Sequence, residues 1–151
     1  MDSYATMLEK AVVLNALKSE ELFDVIAEMT DALTAAGLLD EAQRDEAKQA
    51  VVRREMSAST VMTDGIALPH GRTESAGELT CCIGLKPDGF NADAPDGQLT
   101  RVVILLLVPP SAGAGYTAFL ATVCRTLMDE AKREAMLGAA DREGVLAVLR
   151  S

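Results

Sequence analysis

Gly65–Arg72 reads GIALPHGR and holds the only histidine of this 151-residue chain, His70. Imidazole is the one side chain whose unperturbed charge changes between about pH 5 and 8, so phosphate or acid–base chemistry at neutral pH converges on it. The neighbours look built to hold the ring. Gly65-Ile66-Ala67-Leu68 is apolar and predicts a short strand. Pro69 lacks a backbone N–H and biases Leu68 towards an extended conformation. Gly71 admits a backbone angle or a close approach that a larger residue would hinder. Together they predict a strand that ends abruptly and presents His70 at its end. From these residues alone a second reading stays open, a surface or hydrogen-bonded structural histidine.

Other polar residues stand at suggestive positions. Arg54-Glu55 closes a predicted helix, and Ser59-Thr60 follows in a polar stretch. A guanidinium is a planar fork of donors that matches phosphate, and the hydroxyls add hydrogen bonds. Arg53 and Arg54 also suit a helix C-terminus on dipole grounds alone. Glu55 either pairs with the guanidinium or is solvated. Arg72 either adds positive potential beside His70 or is an exposed surface arginine. Tyr116 either donates to a phosphate or simply begins the packed face of a helix.

Arg54-Glu55, Ser59-Thr60 and Gly65-Ile66-Ala67-Leu68-Pro69-His70-Gly71, taken together, resemble the signature of the enzyme IIA domains of the bacterial sugar phosphotransferase system. The resemblance is to the mannitol/fructose type and its nitrogen-regulatory branch, and it is specific over Arg54–Arg72. It implies a phosphoenolpyruvate-dependent phosphotransferase component with a phosphohistidine intermediate. His70 would accept a phosphoryl group from a histidine phosphocarrier protein and pass it to an enzyme IIB domain. Arg54 would assist at the phosphate, with Ser59, Thr60 and Tyr116 as neighbours. The family usually carries a second histidine after the long central strand, and the aligned position here is Tyr116. That departure puts onward transfer in question and favours an alternative. In it the chain is a regulatory module of the nitrogen-regulatory type, binding a transporter or kinase according to the phosphorylation state of His70. A scaffold without phosphorylation is a third reading.

Composition narrows the field. The formal net charge is −9, from 23 acidic and 14 basic residues, which disfavours nucleic acid and anionic lipid as partners. Cys81, Cys82 and Cys124 form no CxxC pair. They read as small apolar residues in a reducing compartment. One histidine without a ligand cluster argues against a metal site, and no cofactor is implied. There is no apparent secretory signal, and Val102–Val108 is far shorter than the roughly 20 residues of a membrane span. A cytoplasmic protein with no membrane insertion is expected. Nothing identifies a sugar.

The elements that position these residues follow from periodicity. Ala11–Leu14 predicts a first strand. Ser19 reads as the N-cap of a helix through Leu22, Ile26, Met29 and Leu33, stopped at Gly37. Asp40 with Gln43 resembles a capping box opening the helix that ends near Arg54. Leu79–Leu85 predicts a strand, and Lys86–Gly89 its end. Arg101–Val108 is continuously apolar, which predicts a strand buried on both faces. Ser111–Gly115 predicts a loop, and Tyr116, Phe119, Leu120, Val123 and Leu127 a helix. Lys132–Gly138 predicts a further helical turn, and Asp141 caps a last helix. With the resemblance, the expected fold is α/β. It is one mixed β-sheet flanked by helices on both faces, in one domain over residues 1–151.

Overall fold

The computed structural model describes residues 3–112 and 115–151. Its elements run α1 (Ser3–Lys10), β1 (Val12–Leu14), α2 (Leu22–Ala35), α3 (Arg44–Ser57), β2 (Ile66–Ala67), β3 (His70–Arg72), β4 (Thr80–Phe90) and β5 (Thr100–Val108). Helices α4 (Gly115–Leu127), α5 (Glu130–Leu137) and α6 (Arg142–Arg150) complete the chain.

Strand β5 is the axis of the molecule. Its residues 102 to 108 are fully buried, as continuous apolarity requires of a strand covered on both sides. Successive side chains alternate between faces. Val102, Ile104, Leu106 and Val108 meet α1, α4, α5 and α6, while Val103, Leu105 and Leu107 meet α2 and α3. Each fully buried Val, Leu or Ile contributes about 1.5–3 kcal/mol by transfer from water. Cys81 and Cys82 divide between the same two layers. Burial pushes both thiols up, that of Cys82 to about 12, so they pack as apolar groups at neutral pH.

The sheet is mixed. Strand β4 runs antiparallel to β5 on one side, and β1 adds in parallel outside β4. On the other side of β5, β2 and then β3 pair with it in parallel. The expected mixed sheet with helices on both faces is therefore what forms. No described helix is long and apolar enough to cross a membrane.

Four local expectations change. Ser19 does not cap α2. The helix starts after Glu21, and Glu28 reaches back to accept the N–H groups of Lys18 and Ser19 at 3.0 Å each. Burial raises the Glu28 carboxyl, but those N–H groups together hold it below the usual carboxylate range. The Asp40–Gln43 capping box is absent. A 3-10 turn forms there, closed by the backbone bond Gln43 N–H to Asp40 O at 2.9 Å, and α3 begins only at Arg44. Strand β4 continues through Lys86-Pro87-Asp88-Gly89 to Phe90 across an irregular register, with Gly89 at φ +77°. Strand β1 pairs with β4 only at Cys82–Gly84, so Pro87 breaks no ladder bond on that edge. The turn expected at Lys132–Gly138 is a two-turn helix, α5, capped by Asp129, whose carboxylate accepts the Lys132 N–H at 3.2 Å. Asp141 caps α6 as expected, accepting the Gly144 N–H at 2.9 Å. Of the expected loop at 111–115, Gly113 and Ala114 lie outside the described residues.

Candidate functional site

His70 opens β3; it does not end β2, as the sequence suggested. Pro69 is the interruption between the two short strands, and the ladder runs on past it because the Leu106 N–H donates to Pro69 O at 3.0 Å. Leu68, just before the break, has its backbone groups engaged elsewhere. Its N–H donates to Thr60 O at 3.2 Å, and its carbonyl lies 2.9 Å from His70 Nδ1. A carbonyl only accepts, so in the neutral ring Nδ1 carries the proton and Nε2 the lone pair. The half-buried ring is thus held by the carbonyl of the residue before the Pro69 break.

Gly71 explains why the strand sits where it does. A Cβ there would lie 2.8 Å from Ala50 C and Val51 N, in the backbone of α3. Glycine lets helix and strand touch backbone to backbone. Register then sorts the neighbours: Gly71 pairs with Leu107 and faces α3, while His70 and Arg72 pair with Leu106 and Val108 and share the face of α4. The ring of Tyr116, in the first turn of α4, lies 6.1 Å from the His70 ring between centroids. The Arg72 guanidinium carbon lies 5.3 Å from the Tyr116 ring centroid. Tyr116 also packs against the apolar layer around Phe119 and Leu106, so it is both a packed residue and a neighbour of the histidine.

The polar residues at the end of α3 make a second group. Arg54 Nη1 donates to Ala58 O at 2.7 Å. Glu55 neither pairs with Arg54 nor faces solvent. It is 6% exposed, and its carboxylate accepts the Thr60 N–H at 2.8 Å and the Thr60 hydroxyl. Ser59 Oγ accepts the Val61 N–H at 3.1 Å. Among the described residues no hydrogen bond or ion pair joins Arg54 to His70. The link between the groups is the Thr60–Leu68 backbone bond. Glu55 holds Thr60, Thr60 holds Leu68, and Leu68 holds His70. Sequence reasoning named every side chain of this chain of bonds but missed that Glu55 anchors it; the spacing of Glu55 to Thr60 was the signal.

Chemically, the geometry offers one imidazole whose Nδ1 is held by Leu68 O, with the Tyr116 ring beside it and the Arg72 guanidinium against that ring. Arg54, Ser59 and Thr60 form a separate polar group that is joined to it through the Thr60–Leu68 bond. No cluster of three or more His, Cys, Asp or Glu is placed to hold a metal among the described residues.

Comparison with known proteins places the chain in a family. Residues 6–151 match the family model described as phosphoenolpyruvate-dependent sugar phosphotransferase system, EIIA 2. The chain is 31% identical over 121 residues to the fructose-specific EIIA component of that system from Haloferax volcanii, covering 80% of this chain and 77% of that protein. It is 29% identical to the fructose-specific EIIABC component of Bacillus subtilis over 95% of this chain, which spans 22% of that longer protein. The nitrogen regulatory protein IIA-Ntr of Neisseria meningitidis superposes with a TM-score of 0.82 at 24% identity, covering 95% of this chain and 99% of that one. The mannitol IIA enzyme of Escherichia coli, in complex with phosphorylated IIB, superposes with a TM-score of 0.75 at 19% identity over 91% of this chain and 93% of that one.

Proposed function

We propose that this chain, which belongs to the EIIA 2 family of the phosphoenolpyruvate-dependent sugar phosphotransferase system, relays a phosphoryl group through Nε2 of His70. We read residues 1–151 as one EIIA domain working in the cytoplasm. The observation that carries the reading is the 2.9 Å contact from His70 Nδ1 to Leu68 O, which in the neutral ring assigns the lone pair for attack to Nε2.

The donor is a histidine phosphocarrier protein and the acceptor an enzyme IIB domain. In the first transfer the His70 Nε2–P bond forms as the donor N–P bond breaks, and that electron pair returns to the donor imidazole. The ring proton stays on Nδ1, donated to Leu68 O, throughout. Charge builds on the equatorial oxygens of the transferring group, so the protein contributes mainly position and electrostatics. Arg54 supplies charge and donors on the α3 side. Ser59, Thr60 and Tyr116 are the neighbouring hydroxyls.

The test is intact mass after incubation with a phosphorylated histidine phosphocarrier. Wild type gains one phosphoryl group and His70→Ala none; equal labelling of both would remove His70 from the mechanism. Arg54→Ala slows transfer while leaving the melting temperature nearly unchanged.

Tyr116 supports a second reading, a regulatory module whose binding to a transporter or kinase follows the state of His70. Its tyrosine hydroxyl cannot reproduce imidazole protonation. A phosphate would place about −1.5 to −2 charges at that surface. If a IIB domain drains the phosphate from His70, relay holds; if phosphate stays and alters partner binding, regulation holds. Onward transfer gained by Tyr116→His would identify position 116 as the limiting one.

A further inference from the structure

We propose that Arg72 is a catalytic residue of this site, a ligand of the phosphoryl group on His70, and that the face of the Tyr116 ring positions its guanidinium. The inference rests on the reading that His70 accepts a phosphoryl group.

Three observations carry it. First, His70 and Arg72 are two residues apart on one strand and pair in register with Leu106 and Val108, so their side chains leave the same face of the sheet. At about 3.3 Å of rise per residue, an arginine two positions on is long enough to reach a group carried by the ring. Second, the guanidinium carbon lies 5.3 Å from the Tyr116 ring centroid, and that ring lies 6.1 Å from the imidazole. The cation is thus stacked on the residue that borders the histidine, in the arrangement the ring quadrupole favours. Third, among the described residues Arg72 makes no ion pair or side-chain hydrogen bond, whereas Arg54 already donates to Ala58 O. The donors of Arg72 are uncommitted, in a chain whose 23 acidic residues outnumber its 14 basic ones.

A guanidinium presents five donors in a fork that meets two phosphate oxygens at once. Contact with the aromatic face restrains its position without engaging any N–H. Tyr116 itself carries no positive charge at neutral pH. The pair therefore supplies what neither residue supplies alone: charge from Arg72 and placement from Tyr116. Arg72 then neutralises the phosphoryl group from the α4 side while Arg54 does so from the α3 side.

The experiment uses phosphoramidate as donor, so that docking of a partner protein plays no part. The P–N bond of phosphoramidate breaks, ammonia leaves, and the Nε2–P bond forms. The rate is read by intact mass, and the phosphoryl group on the product is titrated by 31P NMR. Arg72→Gln is expected to slow phosphorylation about tenfold or more, and Arg72→Lys to recover part of the loss. Removing the cation disfavours the phosphoryl dianion, so the 31P titration midpoint of Arg72→Gln moves to higher pH. Tyr116→Leu keeps apolar bulk but removes the ring face. It slows the reaction less than Arg72→Gln and adds nothing in the double variant, because it acts through Arg72. Arg72→Gln reacting at the wild-type rate would overturn the proposal, and so would a slower rate with an unmoved 31P midpoint. If instead wild type takes up no phosphoryl group, or His70→Ala takes it up equally, the reading of His70 itself fails.

Discussion

The two sides of His70 are built differently. On the α3 side, directional bonds do the holding: Glu55 is buried, grips Thr60 through backbone and hydroxyl, and passes its position through Thr60 O to Leu68 and the ring. On the α4 side, the Tyr116 ring lies tilted beside His70 and carries the Arg72 guanidinium over its face. Hydrogen bonds fix both distance and angle, whereas stacking fixes distance and tolerates sliding. In the proposed relay, the bonded side sets the tautomer and orientation of the nucleophile, and the α4 side presents a charge that follows the phosphoryl group as it arrives and leaves.

Breaking what the two sides share has the largest effect. His70→Ala abolishes phosphoryl uptake by mass while circular dichroism still reports a cooperative melt, since the ring is only half-buried. Next comes the contact that seats α3. Gly71→Ala forces a Cβ to 2.8 Å from the backbone of Ala50 and Val51. Neither neighbour is a flexible side-chain tip, so the variant loses about 1–3 kcal/mol, read as a lower denaturation midpoint. A midpoint equal to wild type would show that α3 is not held against β3 by this glycine. Glu55→Ala removes the anchor of the bonded side and leaves the Thr60 N–H and hydroxyl without their acceptor. It costs about 1–3 kcal/mol and slows phosphorylation by loosening Leu68. Transfer at full rate in a destabilised Glu55→Ala protein would confine that residue to folding. The smallest effect is the control. Lys10 and Glu78 pair at 3.1 Å with side chains more than half exposed, and Lys10→Ala changes stability by about 0–1 kcal/mol. If it matched Glu55→Ala, burial would not be what distinguishes the bonded side.

Legibility in the sequence followed the locality of the forces. Helix α2 and strand β5 were readable because burial imposes periods of 3.6 and 2 or a continuous apolar run, and the Asp141 cap because it needs only three residues. Strand β4 beyond Leu85 was not readable. Pro87, Asp88 and Gly89 are turn residues, and only the pairing of Phe90 with Thr100 of β5 carries the strand past them. The Ser19 cap failed because α2 begins only after Glu21, leaving Ser19 outside the helix with its N–H bonded to Glu28, more than two helical turns further on.

At the site the division is sharper. The sequence by itself determined that His70 is the single imidazole, that Pro69 and Gly71 bracket it, and that Arg54, Ser59 and Thr60 precede it at fixed spacing. These are properties of residue type and of dihedral freedom, which travel with the chain. Only the tertiary structure decided where each group points. Register on β5 put His70 and Arg72 on the α4 face and Gly71 on the α3 face. The return of the chain from Ser59 along β2 decided that Glu55 holds Thr60 and not Arg54. The docking of α4 brought Tyr116 to a histidine 46 positions earlier. Such contacts depend on which apolar faces find each other when the layers close, and no local preference encodes them.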